Sequence, residues 1–156
     1  EAFYEPSDVG RRPLNAALAV RGSSMPVSFS KITRGSEYSR NTLADLWGYA
    51  SYHAIARGVV TPQYDNKIIL FVTEEKQDSL EQYADRLDGN TLHWEGPNDH
   101  FGEGRMLHAA TSGDEIHLFY RTRHHTDFTY MGQVTVADHT AHTSRPSQFT
   151  LKITGQ

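Results

Sequence analysis

Hydrophobic side chains recur with two different periods in the first half of the chain. One set is spaced as i, i+3, i+4, i+7 and i+11, which places its members on one face of a helix: Leu43, Leu46, Trp47, Ala50 and Ala54. This spacing predicts a helix over residues 41–57, capped by Ser39 or Asn41 and ended by Gly58. The following β-branched run KIILFVT (Lys67–Thr73) predicts a buried central strand.

The second half of the chain alternates apolar and polar residues in short runs. The segment EEKQDSLEQYADRL predicts a charged surface helix, closed by the turn DGN. Strands are predicted for TLHW, RMLHAA, EIHLFYRTR, FTYMGQVTV and QFTLKIT. The turn SGDE predicts a hairpin between the second and third of these runs. Sequential short strands favour an α+β fold, a curled antiparallel sheet or small β-barrel with about two flanking helices.

Residues 1–36 contain several Pro and Gly residues, which predict an irregular N-terminal arm. Within it, the alternating run VSFSKI (Val27–Ile32) is compatible with a strand. We therefore expect two parts, an arm over residues 1–36 and one folded domain over residues 37–156.

Composition narrows the classes of function. The chain has 156 residues, no Cys, nine His and a formal net charge of −4. The absence of Cys excludes disulfides, thiolate metal sites and Cys nucleophiles, and it agrees with a cytoplasmic location. No run approaches 18 apolar residues, so we expect no membrane-spanning segment. The net acidity argues against binding nucleic acid by bulk charge, but it leaves room for a local site built from Arg and Lys.

Motifs for catalysis or metal binding are missing from the sequence. The His-containing runs HHTD and DHTAH are explained more simply as polar loops than as zinc sites, because no HExxH pattern accompanies them. Neither a GxSxG nucleophile elbow nor a Walker loop is present. We therefore expect no catalytic residue, no metal and no cofactor in this chain. The alternative is a small hydrolase or nuclease that uses His and carboxylate side chains of residues 93–103 with His124 or His125.

Six short motifs occur in an order that resembles a known family: YSRNTLADLW, IILFVTEEK, YADRL, LHWEGPND, IHLFYRTR and FTYMGQV. The order resembles the SRA-like domain (similar to PUA-superfamily folds) that occurs in type IV, modification-dependent restriction enzymes beside helicase–nuclease or HNH nuclease modules. The resemblance covers Tyr38 to Val136. It departs from the family pattern where Gly96-Pro97 stands in place of Ser-Gln.

The resemblance implies a non-catalytic domain that binds double-stranded DNA and flips a modified base into an aromatic-lined pocket, while a nuclease or helicase module in the same chain or complex does the cutting. Aromatic side chains stack on such a base, carboxylate and amide groups read its edge, and cations hold the strand. The candidate stacking residues are Trp94, Tyr38 and Tyr64. The candidate edge-reading residues are Asp65, Asn66, Glu95 and Asn98. The candidate phosphate contacts are Arg40, Lys76, Arg105, Arg121 and Arg123.

A third hypothesis is a protein–protein module of a defence complex. Binding to modified duplexes without turnover separates the first hypothesis from the other two.

Overall fold

The computed structural model of the chain describes residues 27–74 and 85–154. Most of the predicted N-terminal arm, most of the predicted surface helix and Lys76 lie outside these residues. The end of that predicted helix is inside them, and it is a strand instead, β4 (Arg86–Asp88). None of the helices in the described ranges combines the length and the apolar character needed to cross a bilayer.

The first helix is shorter than the sequence predicts. Helix α1 (Arg40–Trp47) begins after Ser39, whose hydroxyl accepts a hydrogen bond from the backbone N–H of Thr42. It ends at Gly48, which adopts the left-handed conformation with φ of 81°. Glycine takes this conformation without strain, so it terminates the helix inside the apolar periodicity. A separate 3₁₀ turn (Tyr52–Ile55) follows and completes the same apolar surface.

The described strands form one unclosed, mixed sheet. The first four strands are β1 (Glu37–Tyr38), β2 (Val59–Val60), β3 (Lys67–Thr73) and β4. The others are β5 (Thr91–Glu95), β6 (Glu115–Arg121), β7 (Phe128–Thr140) and β8 (Gln148–Ile153). Their order is β2-β3-β6-β7-β8-β5-β4, and β1 pairs with β7. The α+β class is confirmed, but one pair departs from the predicted antiparallel sheet: β3 and β6 run parallel, with Lys67 opposite Glu115.

Two segments predicted as strands are not strands. RMLHAA contributes to helices α2 (Glu103–Leu107) and α3 (Ala109–Ser112), which bury Met106 and Ala109. This spacing fits a helix turn as well as a strand run. The predicted SGDE hairpin is therefore wrong, because Gly113 ends α3 instead. The VSFSKI segment is irregular, and its N–H at Val27 bonds to the side chain of Asp65 rather than to a neighbouring strand.

The sheet buries apolar side chains on both faces. Successive residues of β6 belong to the clusters on opposite faces. Leu118 belongs to a cluster with β5, β8 and α2, whereas Phe119 belongs to a cluster with α1. Val27 and Ile32 pack into the second cluster, so residues 27–36 contact the folded domain. The domain boundary at residue 36 stays a prediction.

Candidate functional site

Trp94 was named as a candidate stacking residue, and the structure places it in the core. It lies within β5 and only 4% of its surface is exposed. Its ring packs against Phe149 with the two ring centroids 5.3 Å apart. An indole buried in this way cannot stack on a DNA base unless it leaves the core.

Asp65 and Arg105 hold the fold together and do not face solvent freely. The Asp65 carboxylate accepts hydrogen bonds from the backbone N–H groups of Val27 and Asn66. Arg105 donates through Nε to Asp114 at 3.0 Å and through Nη2 to the Asp65 carbonyl at 2.7 Å. The two residues thus tie the turn before β3 to the N-terminal segment and to α2.

The remaining predicted site residues are scattered over the surface. Tyr38 is half-buried, and its hydroxyl accepts from the backbone N–H of Thr33 at 2.7 Å. Tyr64 is 93% exposed on the turn before β3, with a positive φ of 60°. Glu95 lies at the end of β5, and its N–H bonds to Asp85 at 2.9 Å. Asn98 is exposed in the following loop. The structure does not bring these residues together with Arg40, so a single site built from all of them is not what the fold presents.

Arg40 instead lines a polar cavity of about 290 Å³, which we call the Arg40–Arg121 pocket. The start of α1, the 3₁₀ turn, the end of β6 and the turn leading into β7 surround it. Its lining residues are Ser39, Arg40, Asn41, Tyr52, Arg121, His125, Thr126, Asp127 and Phe128. The sequence named Arg40 and Arg121 among five candidate phosphate contacts, but it gave no reason to pair these two.

Arg40 is fixed by its backbone contacts. Its Nε donates to the carbonyl of Ile55 at 2.9 Å and its Nη2 to the carbonyl of Arg57 at 3.2 Å. The guanidinium lies 4.5 Å from the ring centre of Phe71 and 5.0 Å from that of Phe128. Cation–π contacts of this kind hold a guanidinium in place without neutralising it.

Arg121 approaches the same Phe128 ring. Its guanidinium carbon lies 4.1 Å from the ring centre. Its Nε donates to the Thr73 hydroxyl at 2.8 Å and its Nη1 to the Thr126 carbonyl at 2.9 Å. Two guanidinium groups therefore share one aromatic ring.

No carboxylate among the described residues forms an ion pair with Arg40 or Arg121. Asp127 lines the pocket but bonds to neither guanidinium. Burial, and then the positive charge of Arg121, lower the pKa of Arg40 to about 10. Burial also lowers the pKa of Arg121. Both side chains remain charged at neutral pH, so the pocket is a concentrated positive site in a chain of net negative charge.

The rim of the pocket carries an exposed aromatic residue and a strained turn. Tyr52 is 39% exposed and its ring stacks on His53, with the two ring centroids 4.3 Å apart. His125 has a φ of 67°, in the left-handed region that non-glycine residues rarely adopt. The turn around it is held by the Thr126 hydroxyl, which donates to the Arg123 carbonyl at 2.7 Å. Strain held by surrounding bonds is common at binding sites.

A second polar cluster joins α2 to the β7–β8 connection. The Glu103 carboxylate accepts hydrogen bonds from His100 Nδ1 at 2.8 Å, from His139 Nε2 at 2.8 Å and from Ser147 Oγ at 2.9 Å. Burial acts to raise the pKa of Glu103, but these three bonds and the charge of His100 outweigh it, and the pKa lies below its ordinary value. Over the ranges 27–74 and 85–154, no group of three or more His, Asp or Glu side chains is arranged to hold a metal ion. The cluster therefore has a structural role, since its hydrogen bonds join α2 to β7 and to the connection before β8.

This geometry does not favour the hydrolase or nuclease alternative. The predicted partners of the 93–103 segment, His124 and His125, lie in the turn before β7, whereas Glu103 contacts His139 near the other end of β7. Neither His124 nor His125 is among the hydrogen-bond partners that the Glu103 carboxylate has in the described residues.

An apolar cavity of about 190 Å³ lies between the short helices and the sheet. Met106, Ile116, Val134 and Val136 line it. Its carboxylate, that of Asp114, is already bonded to Arg105. This cavity therefore offers less free polar chemistry than the Arg40–Arg121 pocket.

Comparisons with known proteins agree with the architecture. A comparison with curated protein sequences gave no match. Among solved structures, the fold is similar to the SUVH5 SRA domain in complex with hemi-methylated CG DNA, with a TM-score of 0.58 and 12% identity over 85% of this chain and 96% of that one. It is also similar to the DNA modification-dependent restriction endonuclease AspBHI, with a TM-score of 0.50 and 12% identity over 79% of this chain and 73% of that one. The predicted SRA-like fold is thus confirmed.

The sequence-family comparison covers most of the chain. Residues 32–153 match the family described as Domain of unknown function (DUF3427). This chain therefore belongs to the DUF3427 family.

Proposed function

We propose that this domain binds double-stranded DNA that carries a modified base, as the non-catalytic recognition part of a modification-dependent restriction system. The single observation that carries the proposal is the Arg40–Arg121 pocket on an SRA-like fold, a pair of guanidinium groups that no carboxylate of residues 27–74 and 85–154 neutralises. Phosphate contacts of Arg and Lys supply most of the affinity of proteins for DNA. Of the two similar structures, one is a complex with hemi-methylated DNA and the other is a modification-dependent endonuclease, and both support the same class of ligand.

In this proposal the modified base leaves the duplex stack and lies against an aromatic side chain. Tyr52 is the aromatic residue at the pocket rim that is open enough for this contact. Stacking of one base on an aromatic ring contributes about 1–3 kcal/mol. Tyr52 takes the stacking role that the sequence suggested for Trp94, because Trp94 is buried.

The proposal places DNA cleavage on another module. A nuclease or helicase module, in the same chain or in a complex with it, would act in the cytoplasm on the modified DNA that this domain has bound. We base this on the missing catalytic motifs and on the endonuclease named among the similar structures.

A binding titration tests the proposal. Fluorescence anisotropy would compare otherwise identical duplexes that are unmodified or carry 5-methylcytosine, 5-hydroxymethylcytosine or N6-methyladenine, in about 100 mM salt, because DNA affinities depend on salt. We expect a preference of about tenfold or more, or about 1.4 kcal/mol, for one modified duplex. Equal, weak binding of all four duplexes would contradict the proposal.

Two variants test the stacking role. Tyr52→Ala is expected to weaken binding of the preferred duplex by roughly tenfold, because one stacking contact is lost. Leu107→Ala is the matched control, since Leu107 is 40% exposed, like Tyr52, but lies on α2 away from the pocket. An equal effect of the two substitutions would exclude a specific role for Tyr52.

A further inference from the structure

The two guanidinium groups of the Arg40–Arg121 pocket have N–H groups to spare. A guanidinium has five N–H groups. Arg40 uses Nε and Nη2 to bond carbonyls, and Arg121 uses Nε and Nη1 to bond a hydroxyl and a carbonyl. Counting only bonds to residues 27–74 and 85–154, three N–H groups therefore remain on each side chain for a ligand. Because all of them are donors, the ligand must be rich in acceptor oxygens.

The charge distribution around the pair favours an anion. Both guanidinium groups contact the Phe128 ring, and no carboxylate in the described part of the chain pairs with either of them. Their mutual repulsion contributes to the lowered pKa of Arg40. A bound anion would relieve this repulsion, whereas a neutral base would not.

The groups between the two arginines also suit a phosphate. Asn41 and His125 line the same cavity and can donate hydrogen bonds to oxygen atoms. The turn that carries His125 is held in its strained shape by Arg121 itself, through the bond to the Thr126 carbonyl. The anion-binding side chain and the turn that shapes the pocket are thus linked before any ligand arrives, which reduces the cost of ordering them on binding.

We propose that Arg40 and Arg121 together seat one phosphate group of a nucleic-acid strand, and that this contact adds affinity equally for modified and unmodified DNA. This inference rests on the proposed function, since it names the part of the DNA that the pocket takes. It separates the pocket into two roles, a phosphate seat at the arginine pair and a base contact at the rim.

Salt dependence of DNA binding is the first test. Arg121→Gln and Arg40→Gln each remove one charge from the pocket. Lys152→Gln is the control, because Lys152 is an exposed cation on β8 that pairs with Thr135, seven residues along β7 from Phe128 in the pocket. The slope of log affinity against log salt is negative, and loss of one phosphate contact reduces its magnitude by about 0.9. We expect this decrease for both arginine variants and no decrease for Lys152→Gln.

The same variants distinguish a phosphate contact from base reading. Loss of a phosphate contact is expected to weaken all duplexes by a common factor, roughly tenfold, and to leave the preference for the modified duplex unchanged. An arginine that reads a base edge, such as that of guanine, would instead lose discrimination. Lost discrimination with an unchanged salt slope would overturn the inference.

A titration of the unsubstituted chain does not depend on the variants folding. The Nε–H groups of Arg40 and Arg121 are hydrogen-bonded and can be followed by ¹H–¹⁵N NMR spectroscopy. We expect both signals to shift along one saturable curve when a short duplex or inorganic phosphate is added, and not when chloride is added at equal ionic strength. Absence of a shift with phosphate and with DNA would overturn the inference.

The two tests also separate this inference from the proposed function. If no duplex binds but inorganic phosphate shifts both signals, the modified-DNA proposal fails, the strand contact fails with it, and the pocket is a site for free phosphate. If a modified duplex is preferred but neither the salt slope nor the Nε–H signals respond, the proposed function stands and the phosphate seat is wrong.

Discussion

Glu103 is the side chain whose removal gives the sharpest test of the structure. It accepts three side-chain hydrogen bonds while only 17% of its side chain is exposed. These bonds hold the start of α2 against the β7–β8 connection. Substitution by Gln keeps the shape and one acceptor oxygen but removes the charge. The amide NH₂ can face His100, whose ring nitrogen accepts in its other tautomer.

The magnitude follows from this comparison. Hydrogen bonds to a charged acceptor contribute about 1.5–3 kcal/mol each, and neutral ones about half as much. Because the three bonds share one carboxylate, their losses are coupled and do not simply add. We expect Glu103→Gln to lower the free energy of unfolding by about 2 kcal/mol, which for a chain of this length lowers Tm by about 4–8 °C.

The loss is expected to depend on pH. The folded pKa of Glu103 lies below its ordinary value of 4.5. A depressed carboxyl pKa stabilises the fold fully above the unfolded pKa, and this contribution is lost as the pH falls through the folded pKa. The difference between the native chain and Glu103→Gln should therefore be complete above pH 4.5 and disappear below the folded pKa.

Urea unfolding followed by circular dichroism at several pH values measures this difference. Glu37→Gln is the matched control, because Glu37 is an exposed glutamate of β1 whose side chain has no hydrogen-bond partner in the described ranges. Its substitution should change stability by less than about 0.5 kcal/mol. A Glu103→Gln effect below about 0.5 kcal/mol, or an effect that stays constant between about pH 7 and about pH 3, would refute the reasoning.

Three further substitutions probe other parts of the fold. Trp94→Ala should lower the free energy of unfolding by about 3–5 kcal/mol in urea titrations, because it empties a core position; a loss below about 1 kcal/mol would show that the indole is not packed there. Gly102→Ala should lower the free energy of unfolding by at least about 1 kcal/mol more than Gly113→Ala. Both glycines have positive φ, but only the new Cβ at residue 102 would meet Val59, at 2.9 Å. Equal losses of stability would mean that Val59 moves freely. Burial lowers the pKa of His117 below 6.5, and the hydrogen bond that its ring donates to Glu115 opposes this shift. The fold should therefore lose stability as the pH falls through 6.5 towards the folded pKa. His117→Gln should flatten that pH dependence in thermal unfolding, and an unchanged slope would contradict this assignment.

Much of the sheet could be predicted from residue patterns alone. The runs at β3, β5, β6, β7 and β8 are rich in β-branched and aromatic residues, and the structure has strands at all five. The parallel pairing of β3 with β6 could not be predicted, because it depends on how the intervening chain crosses the sheet. The RMLHAA segment was misread because six residues are too few to separate a helical from a strand period.

The site was harder to predict than the fold. The alternation in TLHWE predicts that Trp94 is buried, because Leu92 and Trp94 lie on the same face of the strand. Both are buried in the structure. The adjacent Gly and Pro drew attention to a loop instead. Arg40 was named as a phosphate contact, which stays a prediction. Its position beside Arg121 arises only because α1 packs against the end of β6. Contacts between residues so far apart in sequence are set by tertiary packing.

The parallel pairing of β3 with β6 has a consequence for synthesis of the chain. Thr73 and its neighbour Arg121 are separated by 48 residues. At about 5–20 residues per second, a ribosome needs several seconds to deliver the second strand after the first. During that interval β3 lacks its parallel partner β6. Ile68, Leu70 and Val72 also lack most of the apolar cluster they join, which comes from β5, β6, β8 and α2. Nascent chains of this topology should therefore depend on chaperones that shield apolar segments, and slower translation should lower the yield of folded protein.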